Sequence, residues 1–398
     1  MFRRISILFL IIALTAAAVV SYHLYRRHRQ ETAAQVREPA TFGSRDWPVF
    51  RGDAGLTGMA AGNLPSSFKK AWQFKTGDAV KSTPVVFDGS VFITSTDGTI
   101  YAVKLSDGTE IWRYAAKDAI EASALVAEDK VFFGSTDRTF YALDAGGGKH
   151  IWSLETQGKI TGSANVIKDS ATGKNCIVFG NYDGLLYCVS ADEGTVLWTY
   201  SAESYINGSP AVGGGVIALG SCDAKIYLID PSEPNNVRSV DSGSYIAASS
   251  AILAERLYAG NFDGRFFCID ISSGKIIWSV QPSETPFFSC PAVTGSRVFA
   301  GCRDNRLYCF NAADGKIVWT FRAGEEIDAG AVICGDKVIA ASNDGRLYLL
   351  EAGNGKEIWS FNTANAISSP PAVASNYVII GCEDGNVYAF TENLKGGD

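Results

Sequence analysis

The stretch VFITSTDGTIYAVKLSDGTEIW, residues 91–112, decides the fold. It holds an apolar run, a polar turn at Asp97-Gly98, a second apolar run through Tyr101, a turn at Gly108, and a segment closing on Trp112. Short β-branched and aromatic runs bounded by turn residues read as strands. Asp-Gly between two such runs is the strongest short hairpin signal, so a two-residue type I′ turn with positive φ at both residues is expected.

The same phrase recurs around an Asp followed four residues later by an aromatic. The pairs are Asp97/Tyr101, Asp137/Tyr141, Asp183/Tyr187, Asp223/Tyr227, Asp263/Phe267, Asp304/Tyr308, Asp344/Tyr348 and Asp384/Tyr388. Successive spacings of 40, 46, 40, 40, 41, 40 and 40 give eight copies, with one sizeable insertion near KDSATGKN, residues 168–175. Four strands per forty residues is the signature of a β-propeller. The expected fold is therefore all-β, an eight-bladed propeller of four-stranded antiparallel blades.

Tryptophan supports the count and suggests the closure. Trp112, Trp152, Trp198, Trp278, Trp319 and Trp359 each lie 11 residues after their repeat's aromatic. The eighth copy would place its Trp at 399; Trp72, 40 residues before Trp112, takes that role, so an N-terminal strand around Trp72 completes the last blade. Repeat 4 carries Arg238 instead, after PSEPNNV, and its outer strand is expected to be the least regular. Trp47 falls outside the register.

The 398 residues carry a net charge of -7, and the first 30 hold five Arg and no acid, so the rest is more acidic still. That balance disfavours nucleic acid and anionic lipid as partners of the main body. Ile5 to Tyr25 contains no charged residue and would extend about 30 Å as a helix, enough to span a membrane. A cleaved secretory signal ending at Ala16–Ala18 is the alternative, but the apolar run continues to Tyr25, which favours an uncleaved transmembrane signal-anchor over residues 1–25, followed by a polar tether over 26–45 and the propeller over 46–398. The expected placement is a single-pass bacterial inner-membrane protein with its propeller on the periplasmic side, although the Arg residues flanking both ends of the span do not themselves set the orientation.

The lead-in segment DWPVFRGDAGLTG (46–58) and the eight DGxxYAL…GxxxW units resemble the pyrroloquinoline quinone (PQQ)-like repeat proteins. The resemblance implies one of two kinds of protein. Quinoprotein alcohol dehydrogenases of this family bind PQQ and Ca²⁺ at the propeller axis, the PQQ typically stacked between a Trp and a disulfide of adjacent cysteines. Non-catalytic members, such as the BamB lipoprotein of the outer-membrane β-barrel assembly machine, bind proteins instead. This chain has nine Cys but no adjacent pair, and its repeat Trp residues are committed to blade packing. The expectation is thus a BamB-like protein-binding scaffold without a cofactor. A PQQ- and Ca²⁺-dependent dehydrogenase, or a PQQ- or ligand-sensing ectodomain, is the alternative.

Candidate site residues come from positions that vary where packing does not dictate chemistry. Sixteen residues before each repeat Asp the chain reads Lys81, Glu121, Thr161 (shifted by the insertion), Asn207, Ala247, Phe288, Asp328 and Ser368. This is expected to be a rim around the axis; Glu121, Asn207 and Asp328 supply oxygen donors but from separated blades. Tyr205 and Tyr245, at matching positions, together with Phe287 and Phe288 form a candidate partner-binding aromatic patch. The repeat Asp itself is assigned to hairpin geometry. With Asp304 and Asn305 as the turn, Cys302 is expected opposite Leu307 and Cys309 opposite Ala300. His23, His28 and His150 assemble neither a zinc site nor a catalytic triad.

Overall fold

The computed structural model describes residues 46–169 and 172–392. The expected anchor and tether lie outside these residues.

Eight antiparallel sheets follow one another along the chain. Blade 1 runs outward through Val85–Phe87, Ser90–Thr94, Thr99–Lys104 and Glu110–Ala115. The innermost strands of blades 1 and 2, and those of blades 3 to 7 in succession, contact one another, and that of blade 8 contacts blade 1, which closes the ring. Phe68–Lys75 is the outer strand of blade 8, paired with Asn386–Glu392 so that Trp72 lies opposite Ala389. Closure through the strand around Trp72 is as the repeat predicts. Blade 7 gains a fifth strand, Met59–Ala60, parallel to Val332–Cys334. The insertion lengthens the inner hairpin of blade 3, whose strands are Asn165–Lys168 and Asn175–Gly180.

The Asp-Gly hairpin departs from the expected type I′ turn. Asp97 has no positive φ, whereas Gly98 has φ 82°. Gly98 N–H donates to Ser95 O and Ser95 N–H to Thr99 O, giving a three-residue loop closed by a left-handed residue. The extra loop residue moves the register by one position. Cys302 therefore pairs with Arg306 and Cys309 with Phe299, not with Leu307 and Ala300, although the two cysteines still do not face each other. Gly occupies the left-handed position in five blades; Arg138, Ala224 and Asn305 adopt it at φ 72°, 67° and 69°.

This turn frees the Asp carboxylate to join three segments. Asp97 Oδ1 accepts the Thr99 amide at 2.7 Å, while Oδ2 accepts the Tyr101 hydroxyl and the Gly77 amide, both at 2.7 Å. Gly77 lies in the crossing from the preceding blade, so one carboxylate ties turn, strand and crossing together. Asp137 and Asp223 repeat all three bonds. Burial, then the Asp137 bond, pushes the Tyr141 hydroxyl well above the usual phenol range.

The tryptophans clamp neighbouring blades. Trp72, Trp112, Trp152, Trp278 and Trp319 donate their indole N–H to a carbonyl of the next blade, at Leu105, Ala145, Ala191, Ala312 and Ala352, over 2.7–3.2 Å. Beneath Trp112 lies Gly148, where a Cβ would come within 2.5 Å of the indole. Trp198 and Trp359 are half-buried. In blade 4, Arg238 replaces the indole by donating Nη1–H to Ser272 O at 2.6 Å. Contrary to expectation, its strand Val237–Asp241 pairs without a break, whereas the other seven outer strands each carry a bulge. The irregular PSEPNNV residues are absorbed in the turn, through Glu233 N–H to Asp230 O and Asn236 N–H to Glu233 O.

The left-handed turn position gives a paired prediction. Gly264→Ala would force a Cβ to 2.2 Å from Ser283 O at φ 77°, and should cost about 2 kcal/mol or more. Ala224→Gly should raise stability by about 0.5 kcal/mol. Equilibrium urea unfolding of both variants checks the opposite signs.

Candidate functional site: the axial channel and its rim

The outer edge of each innermost strand pairs within its blade, but the other edge faces the axis and its amides need acceptors. Residues 47–60 supply them. Val86 exchanges two backbone bonds with Trp47; then Val126 donates to Pro48 O, Val212 to Ala54 O, Ile252 to Gly55 O, Val293 to Thr57 O and Ile333 to Gly58 O, all at 2.7–2.9 Å. These donors occupy one repeat position in blades 1, 2, 4, 5, 6 and 7. In blade 3 the Val166 amide bonds to Asn165 Oδ1, and Asn165 Nδ2 donates to Ala54 O, both at 2.8 Å. The lead-in segment is therefore a strap inside the ring. Its Trp47, Val49 and Leu56 enter the hydrophobic cores of different blades. Its bonds lie near the far ends of the innermost strands, about 15 Å from the rim position at extended rise.

Arg51 is the strap's anchor and is fully buried. Its Nη1–H donates to Gly330 O at 2.8 Å, and its Nη2 group donates to Pro291 O at 3.3 Å and to Ala331 O. A fork of donors on backbone carbonyls of blades 6 and 7 holds the cation, although burial lowers its pKa. Asp53 is pulled two ways: burial raises its carboxyl, and hydrogen bonds from Thr57 lower it. Burial likewise pushes the Cys290 thiol to about 11, against the lowering effect of Arg51.

Above the strap a belt of hydroxyls encircles half the axis. The amides of Thr83, Ser123, Ser163 and Ser209 donate to the side-chain oxygens of Ser123, Ser163, Ser209 and Ser249, each at 2.8–2.9 Å. Each bond crosses from one blade to the next at a single repeat position. Belt and rim enclose a cavity of about 180 Å³, to which Phe50 of the strap contributes.

The structure gathers Lys81, Glu121, Asn207, Phe288 and Asp328 around this one cavity, together with Thr161 and Ala247. Asp328 is held by Arg303 through two bonds of 2.9 Å, and Arg303 lies 3.8 Å above the Phe288 ring. Phe287 requires correction. It is 1% exposed and packs on Phe266 and Tyr308, so it is a core residue. It occupies the position filled by Val80, Ile120 and Ile160 in other blades, all buried.

The aromatic patch is wider than the sequence reading proposed. Tyr205 and Tyr245 are 54% and 56% exposed, and Phe262 is 42% exposed. Tyr182 stacks on Tyr205 at 5.3 Å; Phe262 packs edge-on with Tyr245 at 6.3 Å and with Phe288 at 5.7 Å. Lys159 and Arg303 lie over the outlying rings Tyr182 and Phe288. Tyr182 and Phe262 are the missed members. They precede the repeat Asp, where other copies carry Thr96, Cys222 or Glu383, so variation at a turn position was the available signal. The bonds from Cys222 N–H to Tyr205 O and from Phe262 N–H to Tyr245 O make these loops rigid carriers.

This channel does not fit PQQ as the family resemblance describes its site. The repeat Trp residues lie at blade seams, all nine cysteines are free, and the cavity-lining side chains offer one ammonium, Lys81, beside Glu121 and an Asp328 already paired with Arg303, so no cluster of cations awaits an anionic quinone. Among the described residues no three His, Cys, Asp or Glu side chains converge as a metal cluster.

A family model described as outer membrane protein assembly factor BamB matches residues 65–181, 163–279 and 239–396. No curated protein sequence gives a significant match. Among solved structures, BamB from Moraxella catarrhalis is similar at TM-score 0.70 and 18% identity, covering 82% of this chain and 100% of its own. Quinohemoprotein alcohol dehydrogenase from Comamonas testosteroni is similar at TM-score 0.75 and 15% identity, covering 89% of this chain and 82% of its own. The computationally designed Ika8 protein is similar at TM-score 0.70 and 16% identity, covering 81% and 100%. At these identities the structural likeness establishes the fold alone.

If Arg51 anchors the strap, Arg51→Met should lower unfolding free energy by about 2–4 kcal/mol, since charged hydrogen bonds to buried carbonyls are lost. Limited proteolysis should then cut within residues 47–60 while the blades stay intact. Arg51→Lys should recover only part of the loss, because a single ammonium cannot reproduce the fork.

Proposed function

Because this chain belongs to the PQQ-like repeat family described by the BamB model, we propose that it is a non-catalytic scaffold that docks a protein partner. The docking face is the rim of blades 3 to 6. An N-terminal membrane anchor would hold the propeller outside the cytoplasm, in the periplasm, where its role would be in cell-envelope or outer-membrane protein assembly.

One observation carries the reading. Tyr205, Tyr245 and Phe262 present large, exposed rings on hydrogen-bonded loops of one rim sector, continuous with Tyr182 and Phe288. Rings of this kind anchor protein interfaces, because they offer contact area while losing little conformational entropy. The flanking cation Lys159, over the Tyr182 ring, suits a partner segment with apolar side chains and an acidic flank at that end.

Residue-specific photo-crosslinkers at Tyr205, Tyr245 and Phe262 in cells should capture one shared protein. The same label at Ile151, on the outer strand of blade 2, should not. Tyr205→Ser combined with Tyr245→Ser and Phe262→Ser should abolish capture by a label at Phe288 while leaving the melting temperature within a few degrees. Equal capture from both faces would sink the reading. Mixing the purified protein with PQQ and Ca²⁺ should produce neither a bound-quinone absorbance nor dye-linked alcohol oxidation. For the topology, an alkaline phosphatase fusion after Asp398 should be active, and a stable but inactive fusion would overturn it.

A further inference from the structure

We propose that the axial cavity binds a neutral polyhydroxylated molecule of monosaccharide size. This assignment is independent of the rim docking reading and concerns different atoms.

The lining is built for hydroxyl partners. Ser123, Ser163, Ser209 and Ser249 each use an oxygen lone pair to accept an amide of the preceding blade, which fixes the oxygen's position. Among the described residues none of the four O–H groups has a protein acceptor. The Thr83 hydroxyl in the same belt is buried with no protein partner at all, and Asn207 Oδ1 at the rim is also unpaired. An unpaired buried polar atom costs free energy that a ligand hydroxyl recovers. Hydroxyls both donate and accept, so a row of them matches a ligand that carries the same groups.

Charge and shape narrow the class. Asp328 is neutralised by Arg303, and Lys81 and Glu121 are one of each sign, so the mouth selects neither an anion nor a cation. Phe50 and Phe288 give the cavity two apolar surfaces, suited to the C–H face of a sugar ring. At about 180 Å³ the space is below that of drug-sized sites and suits a small compact molecule. An apolar ligand would leave the belt unpaired, and a planar polycarboxylate would find no cluster of cations to receive it.

Saturation-transfer NMR on the full-length protein, titrated with D-glucose, D-galactose and D-mannose, tests the assignment. At least one hexose should saturate at millimolar concentration and be unaffected by the Tyr205/Tyr245/Phe262 triple Ser variant. Thr83→Val keeps the side-chain shape and deletes only the unpaired hydroxyl, so its melting temperature should hold or rise while hexose affinity falls about tenfold. Glu121→Gln, which leaves the belt intact, should change affinity by less than Thr83→Val does. The proposal is overturned if no hexose saturates below about 50 mM, or if Thr83→Val binds as the parent does.

Discussion

Eight blades arranged around an axis leave eight strand edges pointing into the channel, and an unpaired strand edge is the least tolerable feature of a sheet. In this protein the answer is intramolecular. One aperiodic segment, residues 47–60, offers its carbonyls to the inner-strand amides of blades 1, 2, 4, 5, 6 and 7, and reaches blade 3 through the Asn165 side chain. The strap both satisfies the edges and obstructs the channel, which turns an open axis into a cavity with Phe50 in its lining.

The rest of the molecule distributes the same economy of hydrogen bonds around the ring. A repeat Asp joins hairpin, strand and crossing; an indole N–H joins blade to blade at the outside; a hydroxyl belt joins them at the inside. Each device links nearest neighbours, so the ring's stability is a sum of seam contributions that only closure through Phe68–Lys75 completes. Where one seam loses its Trp, Arg238 donates to Ser272 O in the next blade, one residue past the carbonyl that corresponds to the indole acceptors.

Function-bearing variation is confined to positions that the seams leave free. The apolar crossing position is buried in every blade, whereas the next residue ranges from Lys81 to Glu121 to Phe288. The rim aromatics cluster in four consecutive blades and the belt hydroxyls in another overlapping set, giving the propeller two chemically different surfaces close together.

The sequence by itself determined the blade count, the closing strand and the packing residues, because each rests on a forty-residue period that local chemistry repeats. It also located the rim ring of Lys81, Glu121, Asn207 and Asp328, since aligned positions that vary stand out against those that do not. Tertiary structure decided what has no period. The strap could not be read from DWPVFRGDAGLTG because its partners are spread over seven blades, from Val86 to Ile333, and its acceptors are backbone carbonyls, which carry no residue signature. The three-residue turn rather than type I′ leaves the Asp carboxylate free to bond Tyr101 and Gly77, and those bonds exist only once strand and crossing have met. Phe287 and Phe288 are adjacent and identical in type, yet the path of the crossing into blade 6 buries one and leaves the other at the cavity.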